Sequence, residues 1–256
     1  MKIWQGQFSG ESFCKLGVLK IKMCHNILVV IPCSRLPKLH NLKELYVSEC
    51  NSVKEVFQMK ELVNQEYQVE TLPRLTKMFL EDLPLLTYLS GFVQIFENLH
   101  SLTVRGCGNL IYLVTSSIAK TLVQLKELTI EQCRSMKEIV KHEGGEEPCA
   151  IVFSKLQRLR LDNLQRLKCF CLTRYIFTFP SLEQLEVISC PQMEFFCEEV
   201  SSTPRVKEVK TDIHVEEHLG CDLNTIIHNI FLKKVCILKF PNVVISLTLF
   251  FTFAIL

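Results

Sequence analysis

Thirteen cysteines and seven histidines in 256 residues raise metal and thiol chemistry first. Five cysteines, Cys24, Cys50, Cys107, Cys133 and Cys190, occupy one fixed place in a recurring apolar pattern. Adjacent copies of the pattern bring Cys24 beside Cys50 and Cys107 beside Cys133. Zinc needs four converging ligands, whereas one thiol per copy forms a column. A buried cysteine also acts as a small apolar residue with a weak S–H donor, which suits a tight turn. The expectation is therefore a structural ladder of reduced, metal-free thiols. Cys169-x-Cys171 lacks a second pair or a histidine at ligand spacing. His214-x-x-x-His218 lacks the glutamate of a zinc-protease helix, and His25, His40, His100, His142 and His228 are scattered, as surface residues are. No G-x-S-x-G elbow, phosphate-cradling G-x-x-x-x-G-K-[ST] or dinucleotide glycine pattern occurs. The chain is expected to be no enzyme and to hold no cofactor and no metal.

The cysteines belong to a larger repeat. From Leu125, steps of 3, 5, 8, 11 and 14 reach Leu128, Ile130, Cys133, Met136 and Ile139. The same steps from Leu42 reach Leu45, Val47, Cys50, Val53 and Val56, and those from Leu99 and Leu182 behave alike. Copies from Leu75 and Leu156 carry Leu83 and Leu164 in place of the cysteine. Leu16 opens the first copy, and Val206 with Val209 a last, degenerate one. Their separations of 26, 33, 24, 26, 31, 26 and 24 residues average about 27, inside the leucine-rich-repeat range of roughly 20–29. Long spacers, Gln58–Glu70 and Lys141–Ala150, recur with the leucine copies, which suggests duplication of a three-repeat block.

In Leu-x-x-Leu-x-Leu the alternating pair is a short strand whose apolar side chains point inward. One copy cannot bury its own apolar face, so copies must stack. The predicted fold is an α/β repeat: a leucine-rich-repeat solenoid with a parallel concave β-sheet and short convex helices or loops. It takes residues 1–212, about seven to eight repeats. A C-terminal segment follows at 213–235, then an apolar tail at 236–256. Thr115-Ser116-Ser117 is read as the cap of a short convex helix. His142 to Pro148 is read as a solvated loop between copies.

Solenoids bind partners on the concave sheet. Its outward positions form two columns: Lys20, Tyr46, Phe79, Thr103, Thr129, Arg160 and Glu186, then Lys22, Ser48, Glu81, Arg105, Glu131, Asp162 and Ile188. Tyr46 and Phe79, neighbours in one column, are candidate aromatic anchors, and Arg105, Arg158 and Arg160 are candidate charged contacts. Plain solvation of a mixed-charge face is the alternative. The net charge of +2 gives no electrostatic case for nucleic acid. The 48% apolar content excludes disorder. Residues 1–7 lack the apolar run of a signal peptide, so a cytoplasmic, reducing location is expected.

Several stretches resemble the C-terminal repeats of plant nucleotide-binding leucine-rich-repeat disease-resistance proteins of the coiled-coil type. They are Phe96-Glu97-Asn98-Leu99 through Cys107, Ser116 to Leu125, Cys133 to Val140 into Ile151–Leu156, and Phe179 to Met193. Asp222-Leu223-Asn224-Thr225-Ile226-Ile227 with Phe231 resembles their terminal segment. The resemblance spans residues 3–235 and implies intracellular pathogen recognition and defence signalling. Its implied partners are a pathogen effector, a guarded host protein or the receptor's nucleotide-binding domain. The nucleotide-binding motif itself is missing, and Ile3-Trp4-Gln5-Gly6 resembles the tail of a preceding repeat, as expected of the C-terminal piece of a receptor. One rival is the cysteine-containing repeat of F-box ubiquitin-ligase adaptors, whose more uniform 26-residue period fits spacers of 33 and 31 poorly. Another is a membrane-tethered scaffold, resting on the uncharged run Val243–Leu256 and an extension back to Ile237.

Overall fold

The computed structural model describes residues 4, 13–58, 72–89, 93–144, 150–200, 205–212 and 222–239. Eight strands align in one parallel sheet in chain order: Val18–Lys22, Glu44–Ser48, Lys77–Glu81, Ser101–Arg105, Glu127–Glu131, Arg158–Asp162, Gln184–Ile188 and Glu208–Thr211. Every pairing is in the register the repeat offsets predict, for example Leu45 opposite Met78 and Leu102 opposite Leu128. The two apolar residues of each inner strand point into one continuous core. In the copy starting at Leu42, all six pattern residues are fully buried. Leu16, Leu19 and Cys24 at one end, and Val206 and Val209 at the other, are only partly covered, because an end coil has a neighbour on one side.

The convex side differs from expectation in being partly stranded. Val29–Ile31 pairs with Glu55–Phe57, and Val114–Thr115 with Val140–Lys141. Cys171–Thr178 pairs with both Ile151–Val152 and Cys197–Val200. The register partners in these pairs, Val29 with Glu55, Val114 with Val140, and Cys171 with Cys197, lie one 26-residue spacing apart. Coils of equal length bring their β-branched return segments level, so a second ladder closes. Where spacings are unequal the pairing is irregular: a register shift sets Ile176 and Phe177 opposite Glu199 and Val200, and an isolated bridge joins Glu138 to Cys169. The predicted convex helix exists as Ser116–Ala119, but Thr115 makes no side-chain capping bond there. Its buried hydroxyl has no hydrogen-bond partner.

Each of the first seven strands leaves the sheet through a left-handed residue. Met23, Glu49, Asp82, Gly106, Gln132, Asn163 and Ser189 all have φ between 50° and 67°. In six of the seven, the N–H donates to the last strand carbonyl of the next coil, as from Glu49 to Glu81 O at 3.0 Å and from Gln132 to Asp162 O at 2.9 Å. Ser189, before the last coil, donates instead to the Asp212 carboxylate. The sheet's ladder therefore continues around the corner, and this bonding holds the backbone in a region that non-glycine residues avoid.

The helix Leu223–Lys239 packs against the last two coils, burying Leu223, Ile226, Ile227 and Ile230 in the common core. It runs past the 235 boundary expected from sequence. Asp222 caps it through the Thr225 N–H at 3.1 Å and hydroxyl at 2.6 Å. Lys234, nearly buried, places Nζ 2.9 Å from Asp212 Oδ1. At the opposite end, Trp4 donates its indole N–H to Val30 O at 2.7 Å and packs edge-on against Phe13.

Candidate functional site

The in-register sheet builds both predicted outward columns as a continuous surface. Tyr46 and Phe79 are opposed in register, with half-buried rings 6.1 Å apart and tilted by 42°. Lys20 and Lys77 place their ammonium groups 5.1 and 5.7 Å from the centre of the Tyr46 ring. The Tyr46 hydroxyl donates to Glu44 Oε2 at 2.7 Å.

The arginines are held by a mesh of acids. Arg160 reaches Glu131 at 2.7 Å, Asp162 at 2.6 Å and Glu186, taking one carboxylate from its own strand and one from each neighbour. Burial pulls its guanidinium down, but the bonds to Glu131 and Glu186 outweigh this and raise its pKa. Arg105 lies between Glu81 and Glu131 at 3.6 and 3.8 Å, and Arg158 pairs with Glu127. Lys210 extends the mesh to Glu186 and Glu208. The structure thus separates the five candidates into an aromatic pair on coils two and three and charge-compensated arginines on coils four to six. Most of the compensation was hidden in the sequence, because apart from Asp162 and Glu208 its acids lie 24 to 31 residues from their partners.

The five ladder thiols each lie near the carbonyl oxygen two residues back: Cys24 at 3.4, Cys50 at 3.2, Cys107 at 3.6, Cys133 at 3.4 and Cys190 at 3.3 Å. The S–H donates to a strand-end carbonyl just past the left-handed corner. Burial raises the Cys50 thiol and pushes Cys190 up to about 11, favouring this protonated donor form. Within the Cys107–Cys133 pair, bonding between the thiols pushes Cys107 well up and Cys133 down. Among the described residues, no group of three or more His, Cys, Asp or Glu is placed to hold a metal ion. The pair His214 and His218 lies outside them, as do Gly145 to Cys149 of the acidic loop.

Sequence reasoning missed three arrangements. His142 is half-buried, and its ring meets the hydroxyl of buried Tyr175 at 2.6 Å across coils. Tyr88 and Tyr112 stack on the outer rim, with Lys141 over Tyr112. Asn224 bonds the backbone of Phe196 and Cys197. Nothing local marks the first two, whose partners lie a full coil away; Asn224 is marked only by its place in the terminal segment.

An extended parallel sheet face built from stacked Leu-x-x-Leu-x-Leu coils defines a class: a leucine-rich-repeat domain. A model of the family "Plant disease resistance protein RPS2-like, leucine-rich repeats" matches residues 1–134 and 89–198, and the chain belongs to this family. Over 161 residues it is 26% identical to a disease resistance protein of Arabidopsis thaliana, covering 61% of this chain and 12% of that protein. The chain thus spans a small part of that relative's length. Among solved structures, the leucine-rich repeat domain of the type III effector XopL is similar, at 19% identity and a TM-score of 0.45, over 69% of this chain and 55% of that one. The family membership displaces the F-box adaptor reading. No helix among the described residues is long and apolar enough to cross a membrane, and Val243–Leu256 lies outside them.

Proposed function

We propose that the chain is the repeat portion of a plant intracellular immune receptor of the coiled-coil nucleotide-binding type, acting in the cytoplasm. Its concave face engages a protein: a pathogen effector, a guarded host protein or the receptor's own nucleotide-binding domain. The observation that carries this reading is the Tyr46–Phe79 pair, a half-exposed aromatic surface on a sheet that eight in-register strands make rigid. Aromatic side chains fixed by their scaffold supply contact area at little entropic cost. Arg105, Arg158 and Arg160 serve at the margin of that contact, their charges already shared with acids of the sheet.

The test is photo-crosslinking in leaf cells that express single effectors. A benzophenone amino acid replaces Phe79 or, as control, exposed Val123 away from the sheet. The expected result is a protein adduct from position 79 alone, lost when Tyr46→Ala is added. Equal adducts from both positions, or none from position 79 during a defence response, would overturn the reading.

A further inference from the structure

The charges on the concave face are divided unequally. On coils four to eight the cations on the sheet have acid partners, Arg105, Arg158, Arg160 and Lys210, as does Lys207 beside it; of the others at its edge, Lys155 bonds the Gln124 amide at 2.6 Å, and Lys126 and Arg205 form no ion pair among the described residues. Around the aromatic pair the balance is different. Lys15, Lys20, Lys43, Arg74 and Lys77 are all exposed and form no ion pair among the described residues. Lys15, Lys43 and Arg74 line an open recess of about 480 Å³ with Gly17, Val18, Asn41 and Glu44. Glu44 is bonded to the Tyr46 hydroxyl and stands in register with Lys77. Glu44 therefore links the recess to the Tyr46–Phe79 pair.

We infer that this end of the concave face binds an acidic, aromatic-bearing segment of a protein partner. The inference rests on the proposed protein-binding role and specifies the chemistry of what is bound. Five uncompensated cations beside a half-exposed aromatic pair complement carboxylates interspersed with a large apolar side chain. Steering of an acidic segment would raise the association rate, and the aromatic contact would set its lifetime. A nucleic-acid strand offers negative charge too, but it binds such surfaces by stacking bases on free ring faces. Lys20 and Lys77 already lie over the Tyr46 ring, and Phe79 packs against it. The geometry favours the peptide.

Fluorescence anisotropy with the full chain tests this. The probes are a fluorescein-labelled glutamate-rich peptide with one central tryptophan, its glutamine counterpart, and a short poly-uridine strand. The glutamate peptide should bind best and weaken as salt rises. Lys43→Glu/Arg74→Glu/Lys77→Glu should weaken it tenfold or more, whereas Lys155→Glu/Lys168→Glu should not. Tyr46→Ala/Phe79→Ala should lower affinity for the tryptophan peptide but not for an alanine version. A benzophenone at the tryptophan position should crosslink within residues 15–81 of the unaltered chain, a readout that needs no folded variant. Equal binding of the glutamine peptide, equal loss in both charge-reversed proteins, tighter poly-uridine binding, or crosslinks elsewhere would each overturn the inference. If these fail while position 79 still crosslinks a protein in leaf cells, the protein-binding role stands and only the acidic chemistry falls.

Discussion

Asn224 does for the return segment of coil seven what the return segment of a following coil does elsewhere, and its removal gives a sharp test of how the helix closes the solenoid. In the inner coils, two successive return-segment N–H groups donate to one carbonyl of the next coil. Leu113 and Val114 both donate to Ile139 O, and Ile139 and Val140 both donate to Phe170 O. Phe196 and Cys197 stand at the equivalent positions, and their N–H groups converge on Asn224 Oδ1 at 2.7 and 3.0 Å. Asn224 Nδ2 then donates to Cys197 O at 2.6 Å. A carboxamide has the donor and acceptor of a peptide group, so this side chain stands in for the missing backbone. Asn224→Ala removes three neutral hydrogen bonds at about 1 kcal/mol each and leaves buried backbone N–H groups unpaired, so a loss of about 2–4 kcal/mol is expected. Asn224→Asp keeps both acceptor bonds but turns a carboxylate oxygen towards Cys197 O; about half that loss is expected. Equilibrium urea unfolding followed by circular dichroism measures the totals. Amide exchange should accelerate first at Phe196 and Cys197, with residues 101–131 unaffected, because a solenoid couples nearest neighbours. Stability of Asn224→Ala within about 0.5 kcal/mol of the parent, with unchanged protection at Cys197, would refute the substitution of side chain for backbone.

Three further outcomes follow from the geometry. Gln132→Gly should stabilise by about 0.5 kcal/mol, since glycine relieves the φ of 57° but loosens the unfolded chain; Gly106→Ala should cost about 1–2 kcal/mol, because φ is 67° and the added methyl meets the Asp82 carboxylate. Thermal melts of the two variants, moving in opposite directions, check the left-handed corner. Arg160→Leu leaves Glu131, Asp162 and Glu186 facing one another, so about 1–2 kcal/mol should be lost at low salt and less at high salt, as urea midpoints at two ionic strengths would register. Burial raises the pKa of Glu138, so the folded chain binds its proton more tightly than the unfolded chain and is penalised once pH exceeds the folded value. Glu138→Gln should therefore be more stable than the parent at pH 8, with the gap closing as pH falls below about 4, and a gap of the same size at both pH values would contradict the shift.

The repeat, the strand register and the two outward columns were legible in the sequence because they follow from a period. A side chain's direction in a strand alternates every residue, so the offsets of Leu45 and Val47 already determine that Tyr46 faces out and lies opposite Phe79. The cysteine ladder was legible for the same reason. Stacking decided the rest. Seven corners adopt left-handed backbone although only Gly106 advertises it, because the bond each corner donates to the next coil or its Asp212 carboxylate exists only after assembly. Arg160 and Glu186 are 26 residues apart and meet only when coils lie side by side, so sequence could mark Arg160 as outward but not as neutralised. The convex strands, the His142–Tyr175 contact and the Asn224 closure share that dependence. Periodicity determines what each residue faces; coil-to-coil contact determines what it meets, and on this surface that separates the paired arginines from the unpaired cations beside Tyr46 and Phe79.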